Sequence, residues 1–197
     1  MDIAIQTHNQ RPAAVWSSGG PDYDQISRGI SDSIDHCVLR LGPKPGERIL
    51  DLATGTGWTS RVVARRGARV TGVDIASELV AAAKARAEAE GLAIEYHIGD
   101  AESLPFADGA FDGVISTCGV MFARRPEEAA AELARVTRRD GRIALTTWLN
   151  DSNVFEMFQV MSPTWPRPRT RRRLRLSSGA ARSTFANCWR ATLRLPL

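Results

Sequence analysis

Cysteine is scarce: the 197 residues hold only Cys37, Cys118 and Cys188, with no CxxC pair among them. That spacing offers neither a zinc-ligand pair nor an even-numbered disulfide framework, and it predicts reduced, mostly buried thiols with no metal site. Long apolar runs are also missing, so nothing reads as a membrane span. The start, Met1 to His8, has neither the basic flank nor the apolar stretch of a signal peptide, which makes the cytoplasm the expected location. With 43% apolar residues the chain is sized for one hydrophobic core.

Acids are absent from one region altogether. Residues 163–197 hold nine arginines, no lysine and no acid, whereas residues 1–162 hold 17 Lys plus Arg against 22 Asp plus Glu. The formal net charge of +4 therefore averages a body of −5 and a tail of +9. A uniformly basic surface would point to nucleic acid; an excess confined to the tail does not. The expected organisation is one domain over 1–162, with a helical N-terminal segment at 15–42 and a core at 47–148, followed by the Arg/Pro-rich tail. The tail reads either as a basic arm or as the product of a shifted reading frame. In the second reading, moving one base out of phase lets Ser183 through Thr192 become an ordinary amphipathic helix with its acids restored.

Within the body, Ile26, Ile30, Ile34, Val38 and Leu41 fall at helical spacing and predict one buried stripe, stopped by Gly42-Pro43. Strands are expected at 48–53, 68–73, 93–98, 111–116 and 142–148. Helices are expected at 58–66 and 77–90, from Pro126 onward, and at 153–161. Strands alternating with helices predict a doubly wound, mostly parallel Rossmann-like α/β sheet with helices on both faces.

The segment Asp51-Leu52-Ala53-Thr54-Gly55-Thr56-Gly57 closes the first strand, and Asp74 closes the second. Glycines in such a turn let the backbone approach a ligand, and the following helix offers unpaired N–H groups. A carboxylate at the end of the second strand can accept hydrogen bonds from a ribose diol, or else cap the segment Ile75 to Ser77. A dinucleotide fingerprint would place Gly where Ser60 stands. The third strand leads into Gly99-Asp100-Ala101-Glu102, which offers a carboxylate to an exocyclic amino group.

These three signals, with Phe111-Asp112 at the start of the fourth strand as a fourth, resemble the class I S-adenosylmethionine-dependent methyltransferases, in particular the group of ubiquinone and menaquinone biosynthesis C-methyltransferases. The resemblance spans roughly Val15 to Thr147 and implies S-adenosylmethionine as the cofactor. Carried over to this sequence, it implies cofactor contacts from Asp51, Ala53, Thr54, Gly55 and Gly57 in the turn. Asp74 would meet the ribose, and Asp100 and the Ala101 N–H the adenine, with Ile75 and Glu102 also in contact with the cofactor. Thr117 would line the methyl-transfer region and Tyr23 would lie over the cofactor. Ala53 departs from the commoner Gly, a mild narrowing of the turn. The family fold ends in further strands that the tail does not supply, so the closing strands are expected to be missing.

Methyl transfer from a sulfonium needs alignment and dryness more than a base, and no catalytic residue is assigned. His97 reads as structural and Cys118 as pocket lining. Nucleic-acid amino-methyltransferases carry Asn or Asp followed by Pro-Pro-aromatic after the fourth strand, where this chain has Ser116-Thr117-Cys118-Gly119. The expected partner is therefore a small-molecule methyl acceptor. Two rival readings are an NAD-dependent oxidoreductase and an inactive cofactor-binding remnant with a nucleic-acid-contacting tail.

Overall fold

Arg48–Leu52 (β1), Arg69–Asp74 (β2), Ile94–Ile98 (β3), Phe111–Thr117 (β4) and Thr137–Thr146 (β5) pair in the order β3-β2-β1-β4-β5, every pair parallel. The structure, a computed structural model, describes residues 4–149, and the fold below is that of the unit ending at Thr146. Trp58–Ala64 (α4) links β1 to β2, Ser77–Ala89 (α5) links β2 to β3, and Pro126–Val136 (α6) links β4 to β5. Right-handed crossovers that run one way along the sheet and then the other put α4 and α5 on one face and α6 on the opposite face.

Each helix begins and ends where its residues dictate. Pro126 opens α6 with Glu127 and Glu128 in its first turn, and Gly91, at φ +65°, takes up the left-handed backbone just past α5. Ser31–Leu41 (α3) turns Ile34, Cys37, Val38 and Leu41 inward, where they pack with Ile49, Val63, Val70 and Ile115. On the same face Val80, Ala83 and Ala87 of α5 pack on Tyr96. No helix among the described residues is long and apolar enough to cross a membrane.

The N-terminal segment departs from the single helix its periodicity predicts. It forms Gln10–Ser17 (α1), Asp24–Gly29 (α2) and α3, with the break at Ile30, whose φ of −117° and ψ of 17° are not helical. The break takes Ile26 out of the stripe: it is 55% exposed and faces the cleft described below. β5 also starts five residues earlier than its apolar run suggests. Phe111 pairs with Thr137 but Gly113 with Arg142, so the strand bulges through Asp140, at φ +63°. The expected helix at 153–161, the expected loss of closing strands and the tail all lie outside the described residues.

Candidate functional site

In the order β3-β2-β1-β4-β5 the chain reverses direction between β1 and β4, and a crevice opens there at the carboxyl ends of the strands. The turn leaving β1 bends through Ala53 (φ +56°), Gly55 (φ +56°) and Gly57 (φ +77°) before α4 begins. Ala53 is thus the residue for which left-handed backbone carries a Cβ penalty, a larger departure than a mild narrowing. Its room comes from Gly119, where an added Cβ would lie 2.4 Å from the Cβ of Ala53.

Three buried carboxylates stand around this turn. Asp51, fully buried, accepts the Thr54 and Ser60 hydroxyls on Oδ2, each at 2.6 Å, while its Oδ1 has no partner among the described residues. Burial raises its pKa to about 6 against the opposing hydroxyl bonds, and the charge of Asp74 adds to the rise. Asp74 accepts the backbone N–H groups of Gly55 at 2.8 Å and Ala76 at 2.9 Å, and burial raises its pKa as well. Asp74 thus holds both the turn leaving β1 and the backbone entering α5, whose N-cap residue is Ala76 with no side-chain cap bond of its own. Asp100, 1% exposed, is held by the Glu102 backbone N–H and, from the N-terminal segment, by Gln6 and Asn9.

Ten of the twelve residues expected at the site line one cleft. Ala53, Thr54 and Gly55 form its floor, with Asp74 and Ile75 to one side. Asp100, Ala101 and Glu102 lie at one end, and Thr117 and Tyr23 border the turn. Tyr23 sits over the turn, with its ring 3.6 Å from where a Gly55 Cβ would be. Burial, with the charge of Asp74 beside it, raises the pKa of the phenol. Thr117 shares a 2.7 Å hydroxyl contact with Thr59.

Asp51 and Gly57 do not line the cleft; they lie beneath it. A Cβ on Gly57 would meet the Tyr96 hydroxyl at 2.4 Å and Ala83 at 3.0 Å, so this glycine seats the turn on α5 and β3 and does not clear space for a ligand. The Glu102 side chain is structural too. It pairs with His8 Nε2 at 2.6 Å and accepts the Arg125 N–H, and these bonds outweigh burial to lower its pKa. Burial raises the pKa of the Cys118 thiol.

The remaining walls escaped the sequence reading. Trp16, Ile26, Ile30, Trp58 and Phe122 make an apolar side, with Trp16 and Phe122 5.0 Å apart between ring centroids. Among the described residues, none that lines the cleft is Lys, Arg or His. Arg61, 5% exposed, donates to the Thr56 carbonyl and pairs with Glu90 and, more loosely, with Asp24, pinning α2 to the glycine turn. An arginine in the helix after a glycine turn could have signalled such a tie, but its partner Asp24 lies 37 residues away.

Residues 50–145 match the family model of the methyltransferase domain. An uncharacterised protein of Mycobacterium tuberculosis is 38% identical over 161 residues, covering 81% of this chain and 57% of that protein. A demethylmenaquinone methyltransferase of Thermus thermophilus is 38% identical over 141 residues, covering 66% and 63%. The chain thus spans less than two thirds of the length of either relative. Among solved structures, the YcgJ protein of Bacillus subtilis superposes with a TM-score of 0.60 at 27% identity, covering 66% of this chain and 56% of that one.

Proposed function

Since the chain belongs to the class I S-adenosylmethionine-dependent methyltransferases, we propose that it moves the sulfonium methyl of S-adenosylmethionine to a small, largely apolar acceptor bound in the same cleft. One observation carries this reading. The cleft gathers Asp74, Asp100 and the Gly55 turn, keeps Asp51 beneath, and has no basic residue among the described residues of its lining. Buried carboxylates without a counter-cation favour a ligand carrying positive charge, and the methionine end of this cofactor brings both a sulfonium and an ammonium. A dinucleotide would instead bring a pyrophosphate into that negative field.

In this reading Asp74 accepts from the ribose diol through the lone pairs left after Gly55 and Ala76, and Ile75 packs on the adenine. Asp100 and the Ala101 N–H address the adenine edge, and the Gly55 turn admits the methionine end. Tyr23 and Thr117 flank the sulfonium. The acceptor lies against Trp16, Ile26, Ile30 and Phe122, so an apolar ring or chain suits it. The named acceptor of the Thermus relative, demethylmenaquinone, is of that kind. No group in the cleft is placed as a strong base, so the protein's contribution is alignment and exclusion of water, worth several kcal/mol of barrier in enzymes of this type.

The test is to incubate the protein with methyl-labelled S-adenosylmethionine and metabolite fractions ordered by polarity. Label should enter an apolar fraction as S-adenosylhomocysteine forms. Cofactor binding without label transfer to any fraction would count against the activity.

A further inference from the structure

The carboxylate best placed for the adenine amino group already holds an amide. Asn9 Nδ2 donates to Asp100 Oδ1 at 3.1 Å and to Oδ2 at 2.9 Å. The Gln6 N–H adds a bond to Oδ2 at 3.2 Å and the Glu102 N–H one to Oδ1 at 3.0 Å. A carboxylate offers about four lone-pair sites, two on each oxygen, and here three donors make four contacts with them. Asn9 is 4% exposed and itself lines the cleft. A side-chain NH2 on Asp100 is chemically the same donor as an exocyclic amino group on a purine.

The segment that brings Asn9 there is slight. Thr7–Asn9 is a single turn of 3-10 helix leading into α1. Beside it, His8 Nε2 meets Glu102 Oε2 at 2.6 Å and the His8 carbonyl accepts from Arg124 at 3.3 Å. All three residues of the turn are polar, so it adds no apolar side chain to the core, and opening it costs little compared with opening the core.

We propose that Gln6–Asn9 is a clasp that competes with the adenine amino group for Asp100, so that the cofactor enters only when the clasp lifts. The proposal rests on the reading that Asp100 addresses the adenine. Its consequence is a reduced apparent affinity: the measured dissociation constant is the intrinsic one divided by the fraction of molecules with the clasp open.

Two variants test it from different directions. Asn9→Ala removes the competing amide. Gln6→Pro removes only a backbone donor, at a residue whose φ of −58° already suits proline. Stopped-flow and calorimetry with S-adenosylhomocysteine should show each variant binding more tightly, Asn9→Ala by about tenfold, through faster association at an unchanged dissociation rate. Equal or weaker binding by both variants, with melting temperatures near that of the parent, would overturn the clasp and make Asn9 a supporting residue of the site. Asp100→Ala binding as tightly as the parent would also overturn it, since there would be nothing to compete for. If neither parent nor variants bind S-adenosylhomocysteine, the cofactor reading itself fails and the clasp falls with it.

Discussion

Asp74 Oδ2 accepts the backbone N–H of Gly55 at 2.8 Å, so the carboxylate that ends β2 also braces the turn that leaves β1. The candidate cleft and the fold therefore share one side chain. Asp74→Ala should weaken S-adenosylmethionine binding by roughly tenfold or more, since each hydrogen bond to a charged group is worth about 1.5–3 kcal/mol. It should also destabilise, because the Gly55 and Ala76 N–H groups lose their acceptor in a buried place, at about 1–3 kcal/mol each. Calorimetry with thermal melting checks both; a full loss of stability with undiminished affinity would reduce Asp74 to a brace.

Gly57 makes a different demand. Gly57→Val forces a branched side chain into left-handed backbone and against Tyr96, and should cost at least about 2 kcal/mol. Tyr96→Phe removes the atom a Gly57 Cβ would strike first, a hydroxyl buried near Ser60 without a hydrogen bond of normal geometry among the described residues. On its own Tyr96→Phe should be close to neutral, and it should recover part of the loss in Gly57→Ala. Gly91→Ala, where a Cβ meets open space, should cost only about 1 kcal/mol of left-handed strain. Urea denaturation of the set checks this, and strict additivity between positions 57 and 96 would contradict it.

Ala53 and Gly119 form a second coupled pair. Gly119→Ala would bring two Cβ atoms to 2.4 Å and should destabilise. Adding Ala53→Gly should restore much of that stability and relieve the strain at φ +56°. A double-mutant cycle by thermal melting measures the coupling; no recovery would mean that the clash with the Ala53 carbonyl, at 3.1 Å, dominates.

Buried Asp51 gives stability a pH dependence of unusual sign for a carboxylate. Its pKa lies at about 6 in the folded protein against 3.8 for an ordinary aspartate, so the folded state holds the proton more tightly. Its contribution to stability is full below pH 3.8 and is lost as the pH rises to about 6. Asp51→Asn cannot titrate there. Between about pH 4 and 6 the parent's melting temperature should therefore fall relative to that of the variant, and parallel curves would contradict the assignment.

The strands and the residues at their ends were legible because each is marked locally: an apolar run, a turn, then a carboxylate. Asp74 and Asp100 needed only their positions at the ends of β2 and β3. What stayed hidden depends on partners distant in sequence. The break at Ile30 turns Ile26, which periodicity alone assigns to the core, toward the cleft. Gly57 looked like ligand clearance until Tyr96, 39 residues on, was seen beneath it. The engagement of Asp100 by Asn9 spans 91 residues, and nothing in either motif announces it.

The central claim is that the cleft at the β1–β4 switch point binds an S-adenosyl ligand through Asp74. Isothermal titration with S-adenosylhomocysteine and, separately, NADH tests it most directly. The expected result is one molecule of S-adenosylhomocysteine bound per chain, at least roughly tenfold weaker binding in Asp74→Ala, and no heat from NADH. Binding of NADH with none of S-adenosylhomocysteine would contradict it.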